Sequence, residues 1–420
     1  MEKETLIIVG AGAAGLMAAR ELSGRFDITM LEAQAIAGGR IESIKVDGHT
    51  IEAGAEFVHG DLPVTRKLLK EAGLAVSAIA ENMYRKVGDE LVDDTPTAGW
   101  EEMLEKMGSL KEDTNLRDFL DRHYAEDNST ALRQQAISFA SGFDLADAET
   151  ASVHALYKEW SAEEERQFRV VNGYRGLIDY LRENCIAAAA VIRTNATVKT
   201  ISWEKGKVTV TLASGDSLVA DKILVTVPVS LLQKTESVAK ISFTPSLDDY
   251  EQAAAEIGFG AVLKVVFKFK APFWEKLNGF IFSEEIFPTW WTQGLSAKEW
   301  ITGWKGGPEA ALLSSQDNES LLDLALASLG NIFDLPVAAL RDLLEHAEVF
   351  NWQHNPYSRG GYSFSMVGTE AARQLLNEPV AQTIFFAGEA LYEGPCPGTV
   401  EAALTSGLSA AKKITAASLR

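Results

Sequence analysis

The chain opens on a short apolar, β-branched run, TLIIVG at 5–10, of the kind that forms a buried parallel strand. AAGLMAAREL at 13–22 reads as a helix, and DITMLE at 27–32 as a second strand. IKVDGHTIEAGAEFVHG at 44–60 predicts a hairpin about Asp47-Gly48, then a glycine-rich loop. Pro63 to Gly73 predicts a short helix. Residues 100–183 carry helical patterning, and the acidic run EEER at 163–166 reads as a solvated helix face. From about 191 apolar and polar positions alternate, with turns at Lys205-Gly206 and Gly215-Asp216, predicting three or four strands before Pro228. VLKVVFKFK at 262–270 is another alternating strand, and 320–330 and 336–346 read as helices. TIFFAGEA at 383–390 predicts a last buried strand, and GTVEAALTSGLSAAKKI after it a helix.

A chain of 420 residues, 46% hydrophobic, can bury a large core in two or three domains or in two built from interleaved segments. The charge, 39 basic against 59 acidic side chains and net -20, argues against nucleic acid as a partner and suits a cationic ligand, though many soluble proteins are as acidic. The two cysteines, Cys185 and Cys396, have neither metal-type spacing nor a disulfide framework, so no metal site is expected. With no apolar run of membrane-spanning length and no leader pattern at the start, the expectation is a soluble, cytoplasmic protein with no membrane span.

The first strand, turn and helix hold Gly10, Gly12 and Gly15 in the order that binds a dinucleotide. Gly10 permits the tight turn, Gly12 lets a pyrophosphate approach the backbone, and Gly15 lets the helix pack on the sheet. Glu32 ends the second strand, where a carboxylate takes a ribose hydroxyl. AGGR at 37–40 adds two glycines and Arg40, which can face a pyrophosphate and favours FAD.

The acid followed by G-G-R resembles the second fingerprint of the flavin-dependent amine oxidases, the monoamine and polyamine oxidases and their relatives. The resemblance extends over GAEFVHG at 54–60, TVKTISWE and ADKILVTVPVSLL within 197–232, GFGAVLKVVFKFKAPFW within 241–274, and WQHNPYSRGGYSF with IFFAGEALYEGPCPGTVEAALTSG within 352–407. It implies an α/β fold: a FAD-binding Rossmann-like domain of discontinuous segments (1–75, 190–245 and 380–420), with an α+β substrate domain of mixed sheet plus helices (76–189 and 246–379). It implies cofactor contacts from Gly10, Gly12, Ala14, Gly15, Glu32, Ala33, Gly39, Arg40, Ala55, Glu56, Phe57, Val198, Gly388, Glu389, Thr399 and Val400. Val198 would hold adenine through its backbone, Glu389 would meet the ribitol or pyrophosphate, and Val400 would offer its N–H to the flavin pyrimidine edge. Lys264 matches the family lysine that holds a water at flavin N5, although by alternation alone it shares a polar face with Val266 and Lys268, opposite Val265, Phe267 and Phe269.

Two departures from the monoamine oxidases stand out. Gly361 occupies the place of the cysteine that they join to flavin, so non-covalent FAD is expected. Tyr362 matches one of their two substrate-flanking tyrosines, and Thr399 is read as the other position. His59 is a substrate contact or a structural loop histidine, Glu56 serves cofactor or amine, and Trp352 is substrate wall or core packing. The implied activity is oxidation of an amine C–N bond by hydride transfer to FAD, with oxygen as acceptor. The rivals are an L-amino acid oxidase using Arg169, Arg175 or Arg359 for the carboxylate, a protoporphyrinogen oxidase or desaturase, and a non-catalytic flavin-binding scaffold.

Overall fold

The computed structural model describes residues 3–79, 82–162, 166–233, 237–274, 277–294 and 297–419. The first strand, Glu4–Val9, is the centre of a parallel five-stranded sheet in the order Val191–Arg193, Phe26–Leu31, Glu4–Val9, Lys222–Val225, Ile384–Phe386. Its strands come from the start, middle and end of the chain. One face carries the helices Ala13–Leu22, Arg175–Ala187 and Val400–Ala417, which share a core containing Leu16, Leu22, Leu177, Leu181, Leu404 and Ile414. The helix Arg175–Ala187 therefore packs with this sheet, although the expected boundary at 189 assigned it to the other domain.

Glycine permits the close contacts this layer requires. A Cβ on Gly15 would lie 2.2 Å from the Gly10 carbonyl oxygen, and one on Gly407 would lie 2.2 Å from that of Ala14. The helix turn thus presses on the strand turn, and the last helix presses on the first. On the other face the strands Val198–Glu204, Lys207–Leu212, Ser217–Ala220 and Ser242–Thr244 form a four-stranded sheet.

The strand Val262–Phe269 lies inside a seven-stranded sheet, between Leu344–Asn351 and Trp300–Gly306. Leu263, Val265, Phe267 and Phe269 pack on the helix Asn318–Phe333. Their alternating neighbours Val262, Lys264 and Val266 point to the other side, and they are buried too. The hairpin at Asp47-Gly48 forms between Ser43–Val46 and His49–Glu52, and the short helix is Pro63–Glu71.

Two elements differ from the reading by pattern. Residues 344–346 begin a strand rather than ending a helix: the helix stops at Leu343, because Leu344–Asn351 pairs with Val262–Phe269. The mainly helical stretch 100–183 contains a strand, Gln167–Val170, sandwiched between Phe57–His59 and Val76–Ala78. Of the acidic run at 163–166, residues 163–165 lie outside the described residues. Among the described residues no single helix is long and apolar enough to cross a membrane.

Candidate active site

A continuous cavity of about 1460 Å³ runs from the first glycine turn to the start of the last helix and on to the seven-stranded sheet. At one end lie Gly10, Gly12, Ala14, Glu32, Ala33 and Val198. Glu32 is buried and accepts backbone N–H bonds from Ala11 (2.8 Å) and Gln34 (2.9 Å). Burial raises its pKa, opposed by those N–H groups. The helix Ala13–Leu22 has Gly12 as its N-cap, no side-chain cap and no acid in its first turn. Its N-terminal N–H groups and dipole are left for an anion. A Cβ on Gly12 would meet only the Gly38 carbonyl, at 3.9 Å, so the backbone there is open to close approach. Gly15 does not line the cavity and acts through helix packing against the Gly10 turn.

Midway, Gly39, Arg40, Gly388 and Glu389 line the cavity. The Arg40 guanidinium donates to Glu389 Oε1 (2.8 Å) and to the Gly361 carbonyl (2.7 Å). Ser363 Oγ donates to the other Glu389 oxygen at 2.6 Å. Residues 349 apart in sequence thus form one ion pair.

Beyond it the last helix begins at Val400, with Thr399 as N-cap. The Thr399 hydroxyl accepts from Ala402 N (3.1 Å) and donates to the Cys396 carbonyl (2.7 Å), so both of its hydrogen-bonding roles serve the turn. Tyr362 lines the same region, its hydroxyl donating to the Phe143 carbonyl, and Gly398 sits against its ring. Trp352 is buried in the cavity wall and donates its indole N–H to the Ala53 carbonyl at 2.9 Å. A Cβ on Gly361 would come within 2.5 Å of Leu145 Cδ1 and 3.0 Å of Val262 Cγ1.

Lys264 is 1% exposed and lines the cavity. Its ammonium donates to Glu56 Oε2 at 2.7 Å and stands 5.6 Å from the Trp291 ring centroid. Glu56 also accepts from Arg169 Nε (2.9 Å), Trp291 Nε1 (3.0 Å) and Gln293 Nε2 (3.1 Å), all on Oε1. Although burial opposes it, the adjacent cations Lys264 and Arg169 hold the Glu56 carboxyl down at about 2. His59 lines the wall with Phe57 and Phe143 against its ring, and burial lowers its pKa to about 4. Its Nδ1 is buried without a hydrogen-bond partner. Ala55 lines the cavity and donates its N–H to the Arg40 carbonyl at 3.1 Å.

Pattern reading considered Arg169 only for a substrate carboxylate, and it missed Trp291 and Gln293. The first lies on the strand overlooked within 100–183, whose QFRVV run is aromatic and β-branched and is the available signal. The TWWT run at 289–292 offered only generic strand composition. The three arginines considered for a substrate carboxylate do not line the cavity: Arg169 is bound to Glu56, and Arg175 to Asp179 and the Ala37 carbonyl. Cys185 is buried under the first helix, donating to the Leu16 carbonyl.

The parallel sheet, its uncapped helix and this cavity define a protein of the dinucleotide-binding class, with a buried lysine at the far end of the cofactor cleft. Residues 13–415 match the flavin containing amine oxidoreductase family, and the chain belongs to it. The human protein "Lysine-specific histone demethylase 2" is 28% identical over 98% of this chain, and the chain spans about half of that relative's length (53%). "Polyamine oxidase 3" of Oryza sativa subsp. japonica is 26% identical, covering 97% of this chain and 88% of its own. Among solved structures, putrescine oxidase bound to putrescine superposes with a TM-score of 0.82 at 20% identity over 99% of each chain. Cyclohexylamine oxidase from Brevibacterium oxydans IH-35A does so with 0.80 at 17% over 100% of each. The cofactor is FAD. The residues present fit it: an uncapped helix N-terminus, an open glycine backbone, a buried acid and a second helix start lie along one cleft.

Proposed function

We propose that the protein oxidises a C–N bond of a cationic amine to an imine, which water hydrolyses, with oxygen as the acceptor that becomes hydrogen peroxide. FAD, when bound, takes the hydride equivalent from the carbon next to nitrogen. The chain's residues bind, orient and exclude water. In this reading Glu32 and Val198 hold the adenosine end, Arg40 and Glu389 the middle, and the start of the last helix at Val400 stabilises negative charge at the flavin pyrimidine edge. Lys264 holds a water at the reacting edge, while Tyr362, Trp352 and His59 wall the amine. We assign segments 1–75, 190–245 and 380–420 to the cofactor, with the helix Arg175–Ala187 that packs on the parallel sheet, and the remaining ones to substrate.

The observation that carries the choice of an amine over an amino acid is the charge of the wall. Three arginines line the described cavity, and a carboxylate already holds each: Arg40 to Glu389 at 2.8 Å, Arg85 to Asp94 at 2.5 Å and Arg117 to Glu149 at 3.0 Å. Asp61, Glu101, Asp147, Glu284 and Glu285 add negative charge. Such a wall attracts an ammonium and offers no open guanidinium to a carboxylate. The purified holoenzyme is mixed anaerobically with monoamines, polyamines, a methyl-lysine peptide and amino acids. Bleaching of the flavin absorbance by amines, and not by amino acids, is expected. An amino acid as the sole reductant of the flavin overturns the proposal.

FAD is held non-covalently in this reading, because Gly361 offers no thiol at the attachment place, and Leu145 and Val262 fill the space a side chain there would need. Acid precipitation is expected to release all the yellow colour into the supernatant.

A further inference from the structure

Lys264, Glu56 and Arg169 form a buried chain of two cations about one anion. Each contact is direct, 2.7 Å on one carboxylate oxygen and 2.9 Å on the other. Arg169 also donates to the Thr292 carbonyl at 3.2 Å. The remaining Glu56 partners, Trp291 and Gln293, are neutral. Gln293 is itself fixed by Thr302 Oγ1 at 2.7 Å. Glu56, Lys264 and Trp291 line the cavity, and Arg169 stands behind them.

The charged and titratable groups on the packed elements leave this imbalance in place. His49, on the strand His49–Glu52, is kept toward its neutral form by burial, as is His59. Glu52 is held by Ser43 Oγ and Tyr174 N, both at 2.6 Å, and burial raises it to about 7. Lys268 and Lys305, on neighbouring strand positions, have their own carboxylates in Asp47 and Glu309. Below about pH 7 the cluster therefore carries one positive charge beyond its anion. Two aromatic faces take up part of it: Trp291 beside Lys264, and Phe57 at 5.0 Å from the Arg169 guanidinium.

We propose that the Glu56–Arg169 pair is a charge-setting device behind Lys264: the excess positive charge of the three-residue cluster in the cavity wall disfavours an ammonium there and so selects the free-base form of the reacting amine. The acidic residues of the wall gather the cation, and the buried cluster strips its proton preference at the reacting end. Arg169 acts through Glu56 and Lys264 and is a positioning residue.

This rests on the amine oxidase reading, and the tests separate the two. The acid limb of the kcat–pH profile reports ionisation in the enzyme–substrate complex. Arg169→Gln removes one positive charge, so the limb is expected to move up by about one pH unit. Glu56→Gln removes the negative charge and is expected to move it down by a similar amount. Arg169→Lys keeps the charge and is expected to leave the limb in place. The midpoint potential of bound FAD, measured by dye equilibration without any amine, is expected to fall in Arg169→Gln and rise in Glu56→Gln. Shifts of the same sign in both neutral variants, or none, overturn the proposal. If Glu56→Gln fails to fold, the contrast between Arg169→Gln and Arg169→Lys decides. If no amine bleaches the wild-type flavin, the amine oxidase reading fails, and the potentials still judge the charge effect.

Discussion

At the scale of single residues, Lys264 shows how far pattern carries and where it stops. Alternation correctly places it with Val266 and opposite the apolar face of its strand. Alternation also makes that face look wet, since a lysine usually marks solvent. The face is dry because the loop bearing Gly54 and Glu56 covers it, the lysine ammonium lying 3.4 Å from the Gly54 carbonyl. No local signal reports a cover supplied by residues more than two hundred positions away. Only the resemblance of the surrounding motif to a known family made the burial legible. Lys264→Met leaves Glu56 its bonds to Arg169, Trp291 and Gln293, so the variant is expected to fold and keep FAD. One of its half-reactions, amine-driven bleaching or reoxidation by oxygen, is expected to slow on the order of 100-fold in stopped flow. Unchanged rates in both remove Lys264 from the chemistry.

His59 supports a second prediction at this scale. Its folded pKa of about 4 lies below the unfolded value of 6.5. Between those values the unfolded chain binds the proton and the folded one does not, so this residue's effect is to lower stability as pH falls from 6.5 to 4, and then to stay flat. The full window is worth roughly 3 kcal/mol. His59→Phe removes that slope. Its melting temperature is expected to gain on the wild type steadily across the window, and a constant gap by calorimetry refutes the assignment.

Among the elements, those that carry the cofactor cleft were the most legible. The first helix is Ala13–Leu22, as its pattern predicts, and the last helix begins at Val400 behind a Thr399 cap. Both have apolar faces, and their starts are marked by the glycine turn in the first and the Thr399 cap in the last. The strand Gln167–Val170 was hidden because four residues between helices give too few periods to register. Residues 344–346 continue a helical pattern, and only pairing with a distant strand overrides it. The contact between the two legible helices is itself testable. Gly407→Ala places a methyl against the Ala14 carbonyl with no flexible atom to yield. It is expected to cost about 1–3 kcal/mol in urea unfolding and to weaken FAD binding, because the displaced helix begins at the glycine turn. Gly24→Ala, whose Cβ meets nothing within 4 Å, is the control and is expected to stay within about 0.5 kcal/mol of wild type.

For the whole molecule, the governing quantity is charge. The net -20 of the chain is expressed in the cavity wall, where Asp61, Glu101, Asp147, Glu284 and Glu285 stand in the described lining while its arginines are neutralised in pairs. Composition disclosed the sign of this field but not its location, because charges from the helical segment, the loop at 61 and the connection at 284–285 converge only in the fold. A cation approaching such a cleft is drawn by the summed potential, and exposed charges are screened by salt over about 10 Å at 0.1 M. The effect belongs to encounter and binding, so it enters kcat/KM and leaves the bleaching step of the saturated enzyme alone. For a diamine, kcat/KM is expected to fall as sodium chloride is raised from low to physiological strength, while kcat stays level. A monoamine of equal chain length carries one charge fewer, and its kcat/KM is expected to fall less steeply. Equal slopes for the two amines would mean that the acidic wall does not guide the substrate. Slopes that rise with salt would mean that the uncompensated charge of Lys264 and Arg169 outweighs the wall at the point where the amine enters.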